Sequence, residues 1–145
     1  MNALIRDMHK SYARADKWSE LVIGAAIEVH RHKGPGLLED IYERCLMREF
    51  ELRGIPAANQ VLVALEYKGT LLDQALRLDV IVDRCLIVEI KAVERVLPVH
   101  KAQLLSYMKL TDVPMGLLIN FHVSLLKEGV SRMVLRGADM DEVNF

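Results

Sequence analysis

Two stretches of strict alternation, separated by only a few residues, constrain this chain more than any other feature. Leu76, Leu78, Val80 and Val82 alternate with Arg77, Asp79, Ile81 and Asp83, and Leu86, Val88, Ile90 and Ala92 alternate with Ile87, Glu89, Lys91 and Val93. Period 2 is the strand period, and two such runs so close together double back as an antiparallel hairpin. Aligning their aliphatic faces pairs Val82 with Leu86, Val80 with Val88 and Leu78 with Ile90, leaving Asp83, Arg84 and Cys85 as the connection. The same register sets Asp79 opposite Glu89 on the other face, with Cβ atoms roughly 4.5–5.5 Å apart and Lys91 two residues further along.

Two carboxylates facing each other repel unless something positive lies between them. A divalent cation such as Mg²⁺ or Mn²⁺ meets that need, because hard cations take carboxylate, carbonyl and water oxygens and are often completed by substrate phosphate. Asp79, Glu89 and Lys91 therefore read as a metal-assisted phosphoryl site, in which cation and ammonium stabilise charge on the reacting phosphorus. The bland alternative is an ion pair between Lys91 and one of the acids. Spacing alone does not decide, since a second Glu-x-Lys triplet stands at Glu66-Tyr67-Lys68. That copy ends at a Lys68-Gly69 turn, has no Asp on a neighbouring strand and no helix after it.

The rest of the chain frames the hairpin. Residues 1–16 have no sustained period and read as an N-terminal arm or short helix. From Ser19, a plausible cap, to His32, the residues Leu21, Ile23, Ala26, Ile27 and His30 recur at helical spacing. Gly34-Pro35-Gly36 breaks that helix and starts a second, which runs to Arg53 and is closed by Gly54 and Pro56. Val61–Tyr67 is β-branched and aromatic and reads as a strand, followed by the Lys68-Gly69 turn. Pro98 opens a third helix to Lys109. Met115–Phe121 is apolar on both faces, as suits a strand covered on both sides, and a strand, crossover helix and strand in one sheet should be parallel and right-handed. Val130–Leu135 reads as an edge strand and residues 137–145 as an acidic tail. The expected class is α/β: a mixed β-sheet with an antiparallel hairpin and a parallel crossover strand, flanked by helices. With 145 residues and no repeat or linker, one domain is expected over 1–145, its core about 19–135.

Composition removes several functions. A net charge of −1, from 19 Lys and Arg against 20 Asp and Glu, argues against coating nucleic acid through bulk charge, so phosphate binding would be local or aided by metal. Two cysteines without a C-x-x-C cannot build a four-thiolate metal site and suit reduced thiols in a cytoplasmic protein. No apolar run is long enough to span a bilayer, so no membrane role is expected, and the charged Arg6, Asp7, His9 and Lys10 argue against a signal peptide. The 52% hydrophobic content leaves room for a subunit interface in a homo-oligomer.

An Asp, nine residues, then Glu-x-Lys on a hairpin, followed by a helix carrying Gln103-x-x-x-Tyr107, resembles the PD-(D/E)XK nuclease superfamily, and within it the RecB-like and λ-exonuclease-like branch with its restriction-endonuclease-like core. Gly36-x-x-Glu39-x-x-Tyr42 after the turn, with LPVHKAQLLSYMKL and GLLINF downstream, resembles the small bacterial GxxExxY family; the likeness covers about residues 19–135. It implies that Asp79 and Glu89 bind Mg²⁺ or Mn²⁺ with the carbonyl of Ile90, that Glu39 completes the metal site, that Lys91 orients the attacking water, and that Gln103 and Tyr107 position phosphate or support Lys91. Leu78 stands where the superfamily name has proline.

Bland roles compete at each position. Glu39, if Gly36 caps the second helix, occupies its third position, where the helix dipole favours a carboxylate. Tyr42 reads as packing, Cys45 as core, His30 and His32 as structural near a helix C-terminus, Arg95, Lys101 and Lys109 as solvated charge, and Glu28 as exposed unless it faces the site. The preferred function is a metal-dependent nuclease-like phosphodiesterase that hydrolyses DNA or RNA by a metal-activated water; a junction-selective nuclease shares that chemistry. The alternative is a nuclease-fold binding or assembly module that acts through an unidentified protein partner without catalysis.

Overall fold

The first helix starts earlier than its apolar spacing indicates. In the computed structural model, which describes residues 10–137, α1 spans Tyr12–Lys33. Long-range contacts anchor its opening turns: Trp18 Nε1 donates to Asp83 Oδ2 at 2.9 Å, Arg14 pairs with Asp83 at 2.9 Å, and Arg132 pairs with Asp16 at 2.7 Å. Ser19 is accordingly no cap; it lies buried inside α1, donating its hydroxyl proton to the Asp16 carbonyl. The arm expected over 1–16 thus contributes residues 12–16 to α1, and residues 1–9 and the acidic tail beyond 137 lie outside the described residues. Its buried residues are Ala15, Ser19, Val22, Ala25, Ala26, Val29 and His30, so of the expected positions Ala26 and His30 are buried, Ile23 and Ile27 are partly buried, and Leu21 is exposed.

The second helix, α2, spans Glu39–Arg53, with Gly54 at its C-terminus. It starts at Glu39 rather than at Gly36, because Gly36 at φ 102° and the residues up to Leu38 form the turn that aims it. Glu39 therefore occupies the first helical position, not the third. Tyr42 closes the turn: its hydroxyl donates to the Gly34 carbonyl and accepts the Leu37 N–H, while its ring stacks on Phe121 with centroids 4.5 Å apart.

Five strands follow in the order β1 (Ala57–Tyr67), β2 (Thr70–Val82), β3 (Leu86–Lys91), β4 (Met115–Asn120) and β5 (Val130–Val134), adjacent in that same order in one sheet. Only β3 and β4 are parallel, joined across one face by α3 (Pro98–Thr111) as a strand–helix–strand unit requires. Pro98 stands at the start of α3, β5 is the expected edge strand, and the Lys68-Gly69 turn joins β1 to β2. The three inner strands β2, β3 and β4 are covered on two sides: α1 and α2 pack on Val80, Val82, Leu86, Val88, Leu117 and Ile119, and α3 packs on Leu78, Ile87 and Leu118 through Leu104 and Met108. Gly116 allows α3 that close, since a Cβ there would lie 2.8 Å from Met108 Sδ and 2.9 Å from Leu104 Cδ1.

One element of the expected hairpin register is corrected. Val82–Leu86 and Val80–Val88 pair as aligned, but the β2–β3 ladder ends at Val80 and Val88, with neither the expected Asp79–Glu89 opposition nor the Leu78–Ile90 pair in its register. Leu78 packs on the α3 side while Val80 and Val82 face α1 and α2, so alternation breaks at Asp79. Gln60, which falls opposite Asp79 in the β1 register, adopts φ 52° at the same level. The sheet is distorted where the chemistry-bearing residues stand.

Candidate active site

Where the β2–β3 ladder stops, side chains take over its hydrogen bonds. The Asp79 N–H donates to Glu89 Oε2 at 3.0 Å, and the Ile90 N–H donates to Asp79 Oδ2 at 2.8 Å. Each carboxylate thus binds the main chain of the other's strand, which props the strands apart and holds both acids at the mouth of the gap. An extended pair would have satisfied those N–H groups with carbonyls; the divergence leaves the carboxylates as the acceptors.

The electrostatics of this pair are unfavourable as they stand. Burial, then the facing charge of Asp79, push the Glu89 carboxyl up to about 8, with the positive charge of Lys91 opposing the shift. Glu89 is only 7% exposed. A buried carboxylate held against another acid is the donor set that a hard divalent cation stabilises. The residues present fit such an ion, with Asp79 and Glu89 supplying charged oxygens and the Ile90 carbonyl lying between Glu89 and Lys91 in the chain. Among the described residues no three His, Cys, Asp or Glu side chains converge as a ready-made cage. Two protein carboxylates with water and phosphate oxygens making up the remainder is the usual manner of binding Mg²⁺.

Of the sequence-predicted residues, Lys91 and Tyr107 lie within electrostatic reach of this pair. Lys91 follows on β3, half-buried, its carbonyl accepting the Phe121 N–H at 2.9 Å. Glu39, although exposed, accepts the Ala92 N–H at 3.3 Å and so stands one residue beyond Lys91. Across the sheet, Gln103 Nε2 donates to the Tyr107 hydroxyl at 2.7 Å. Burial, and then the negative charges of Glu89 and Asp79, raise the Tyr107 phenol above its ordinary value, which places this pair on the carboxylates' side. Tyr42 packs as expected, while His30 is buried with Nε2 2.8 Å from the Val123 carbonyl. Cys45 is partly buried against the core.

Other candidates stay apart. Glu28 pairs with Arg31 and His32 and lines a cavity of about 400 Å³ between α1 and α2 with Arg44, Cys45 and Arg48. A second cavity of about 570 Å³ lies beside Gly34 and Pro35; neither includes Asp79, Glu89 or Lys91. Arg95, Lys101 and Lys109 are exposed.

Sequence reasoning passed over two residues here. Glu43, buried one turn beyond Glu39, accepts from Asn59 Nδ2 at 2.9 Å and Gln60 Nε2 at 2.8 Å, fixing the β1 irregularity that faces Asp79. Asn120 ends β4, buried, with three hydrogen bonds to loop backbone. Its signal was available: it is the one polar residue in the apolar run Met115–Phe121.

A five-stranded mixed sheet with a single parallel crossover, helices on both faces, and an Asp on one hairpin strand facing Glu-x-Lys on the next is the restriction-endonuclease-like architecture of metal-dependent nucleases. Comparison with known families agrees: the model of the PD-(D/E)XK nuclease superfamily matches residues 16–133, and the chain belongs to that superfamily. Its nucleases generally use divalent metals. No curated protein and no solved structure matches the chain. Among the described residues, no helix is long and apolar enough to cross a membrane.

Proposed function

We propose that this chain is a Mg²⁺- or Mn²⁺-dependent phosphodiesterase that hydrolyses DNA or RNA, from the GxxExxY group, with a RecB-like, λ-exonuclease-like core. The observation that carries this reading is the Asp79–Glu89 pair at the end of the ladder, in which a buried Glu89 and a partly buried Asp79 bind each other's strands, with Lys91 next on β3. A bound divalent ion would supply Lewis-acid stabilisation of the phosphate and favour ionisation of water.

The protein's own groups do the rest. Asp79, Glu89 and the Ile90 carbonyl would hold the cation, and Glu39 would add an oxygen from α2, where it accepts the Ala92 N–H at the strand exit. The Lys91 ammonium orients the attacking water and stabilises the negative charge that grows on the phosphoryl oxygens. Tyr107, whose hydroxyl accepts from Gln103 and keeps its own proton to give, is a neutral donor for a substrate phosphate oxygen. Because the chain is nearly neutral overall, substrate phosphate would depend on a bound cation for binding as well as for chemistry.

The test is cleavage of end-labelled single- and double-stranded DNA and RNA with Mn²⁺, with Mg²⁺ and with chelator, comparing wild type with Lys91→Ala. Metal-dependent cleavage that Lys91→Ala lowers at least 100-fold supports the reading. Full activity in that variant would overturn the assigned roles, and absence of cleavage and of metal binding would favour a module that acts through protein partners.

A further inference from the structure

Beyond Lys91 the polypeptide leaves the sheet, and a single side chain determines how it leaves. Asn120 is 3% exposed and stands beside Lys91 in the β3–β4 register. Its Oδ1 accepts the Val93 N–H at 3.0 Å and the His122 N–H at 3.2 Å, and its Nδ2 donates to the Val93 carbonyl at 2.8 Å. The amide therefore continues the β3–β4 ladder for one more step after both strands have ended. Its orientation is unambiguous, since reversing it would set the NH₂ group against two N–H donors. The Phe121 N–H bond to the Lys91 carbonyl and the Ala92 N–H bond to Glu39 are the neighbouring links, so the segment Lys91–Val93 is held from β4 on one side and from α2 on the other.

We infer that Asn120 is a positioning residue for the hydrolytic site, holding the Lys91–Val93 exit so that the Lys91 ammonium and the Glu39 carboxylate sit at fixed places beside the Asp79–Glu89 pair. This rests on the phosphodiesterase reading above. Asn120 touches no reacting atom; it acts through the backbone of the strand that carries the catalytic residues. A plain buried polar contact would fix the fold alone, whereas a contact that sets where two functional groups stand affects the rate. Outer supports of this kind cost roughly 10- to 100-fold in activity or metal affinity when removed.

Two variants separate the possibilities. Asn120→Ala removes every side-chain bond to Val93. Asn120→Asp keeps the two bonds accepted by Oδ1 but sets a carboxylate oxygen against the Val93 carbonyl; once protonated, that oxygen can donate as the amide does. Cleavage by Asn120→Ala is expected to fall roughly 10- to 100-fold in kcat, with KM little changed and by the same factor at every pH between about 5.5 and 8. Asn120→Asp should show a deficit relative to wild type that shrinks as the pH is lowered, read only at pH values where circular dichroism shows the variant fully folded, because protonation would also reverse a loss of folding. Amide hydrogen exchange gives a readout independent of activity: exchange at Ala92 and Val93 should accelerate in Asn120→Ala, with that at Met108 in α3 unchanged.

Wild-type kcat in Asn120→Ala, or an Asn120→Asp deficit independent of pH, would overturn the inference while leaving the phosphodiesterase reading in place. Should wild type itself fail to cleave any substrate or bind Mn²⁺, that reading falls, and the positioning role falls with it; unchanged exchange at Ala92 and Val93 would then overturn the structural clamp as well.

Discussion

Replacing Glu89 by Gln should make the metal-free protein more stable while removing its ability to bind metal. The glutamine side chain has the same shape as the glutamate, and its amide oxygen can keep the hydrogen bond from the Asp79 N–H. What changes is the charge. The folded carboxyl titrates near 8 against 4.5 for its reference value, so folding binds a proton that the unfolded chain would release. A raised acid costs nothing below the lower value, and its penalty then grows with pH until the folded value is passed. At pH 7 about two and a half pH units of that window have been crossed, at about 1.4 kcal/mol each, giving about 3 kcal/mol. For a chain of this size that corresponds to roughly 6–12 °C in Tm. Differential scanning calorimetry in chelator from about pH 5 to 8.5 reads it directly: the Tm difference between Glu89→Gln and wild type should be near zero at the acid end and widen steadily towards pH 8. A constant difference across that range would refute the argument, because it would mean that Glu89 titrates as an ordinary carboxylate.

Three further perturbations test separate parts of the account. Lys91→Met should lower kcat by roughly 10²–10³-fold, as loss of a charge-stabilising donor does, while Mn²⁺ affinity measured by calorimetry is retained. Gly116→Ala forces a methyl against Met108 and Leu104 and should cost about 1–3 kcal/mol in urea unfolding, with α3 the first element to lose its exchange protection. Tyr42→Phe keeps the stacking on Phe121 but leaves the Gly34 carbonyl and Leu37 N–H without their hydroxyl partner, which should lower stability by about 1–3 kcal/mol in the same assay.

Much of the frame was legible because hydrophobic period carries it. Alternation from Leu76 to Ala92 located the hairpin and brought Asp79 near Glu89; Pro98 and Gly54 marked helix ends; the doubly apolar run at Met115 signalled a buried parallel strand. The sequence misled where long-range contacts outweigh local preference. The start of α1 depends on Asp83 and Arg132, which are distant in the chain, and the α2 start depends on a turn closed by Tyr42. Leu78 was assigned to the wrong face because strict alternation cannot anticipate a ladder that ends where carboxylates replace carbonyls as acceptors. Asn120 and Glu43 were overlooked for a related reason: each satisfies backbone or amide groups brought near by folding, and such partners leave no periodic trace.

The central claim is that Asp79 and Glu89 form one divalent-cation site. Isothermal titration of Mn²⁺ into wild type, Asp79→Asn and Glu89→Gln at moderate salt, with a short nucleic-acid strand present to complete the coordination shell, tests it most directly. The account predicts binding to wild type that disappears in both variants; binding unchanged in either one, or absent from wild type, would contradict it.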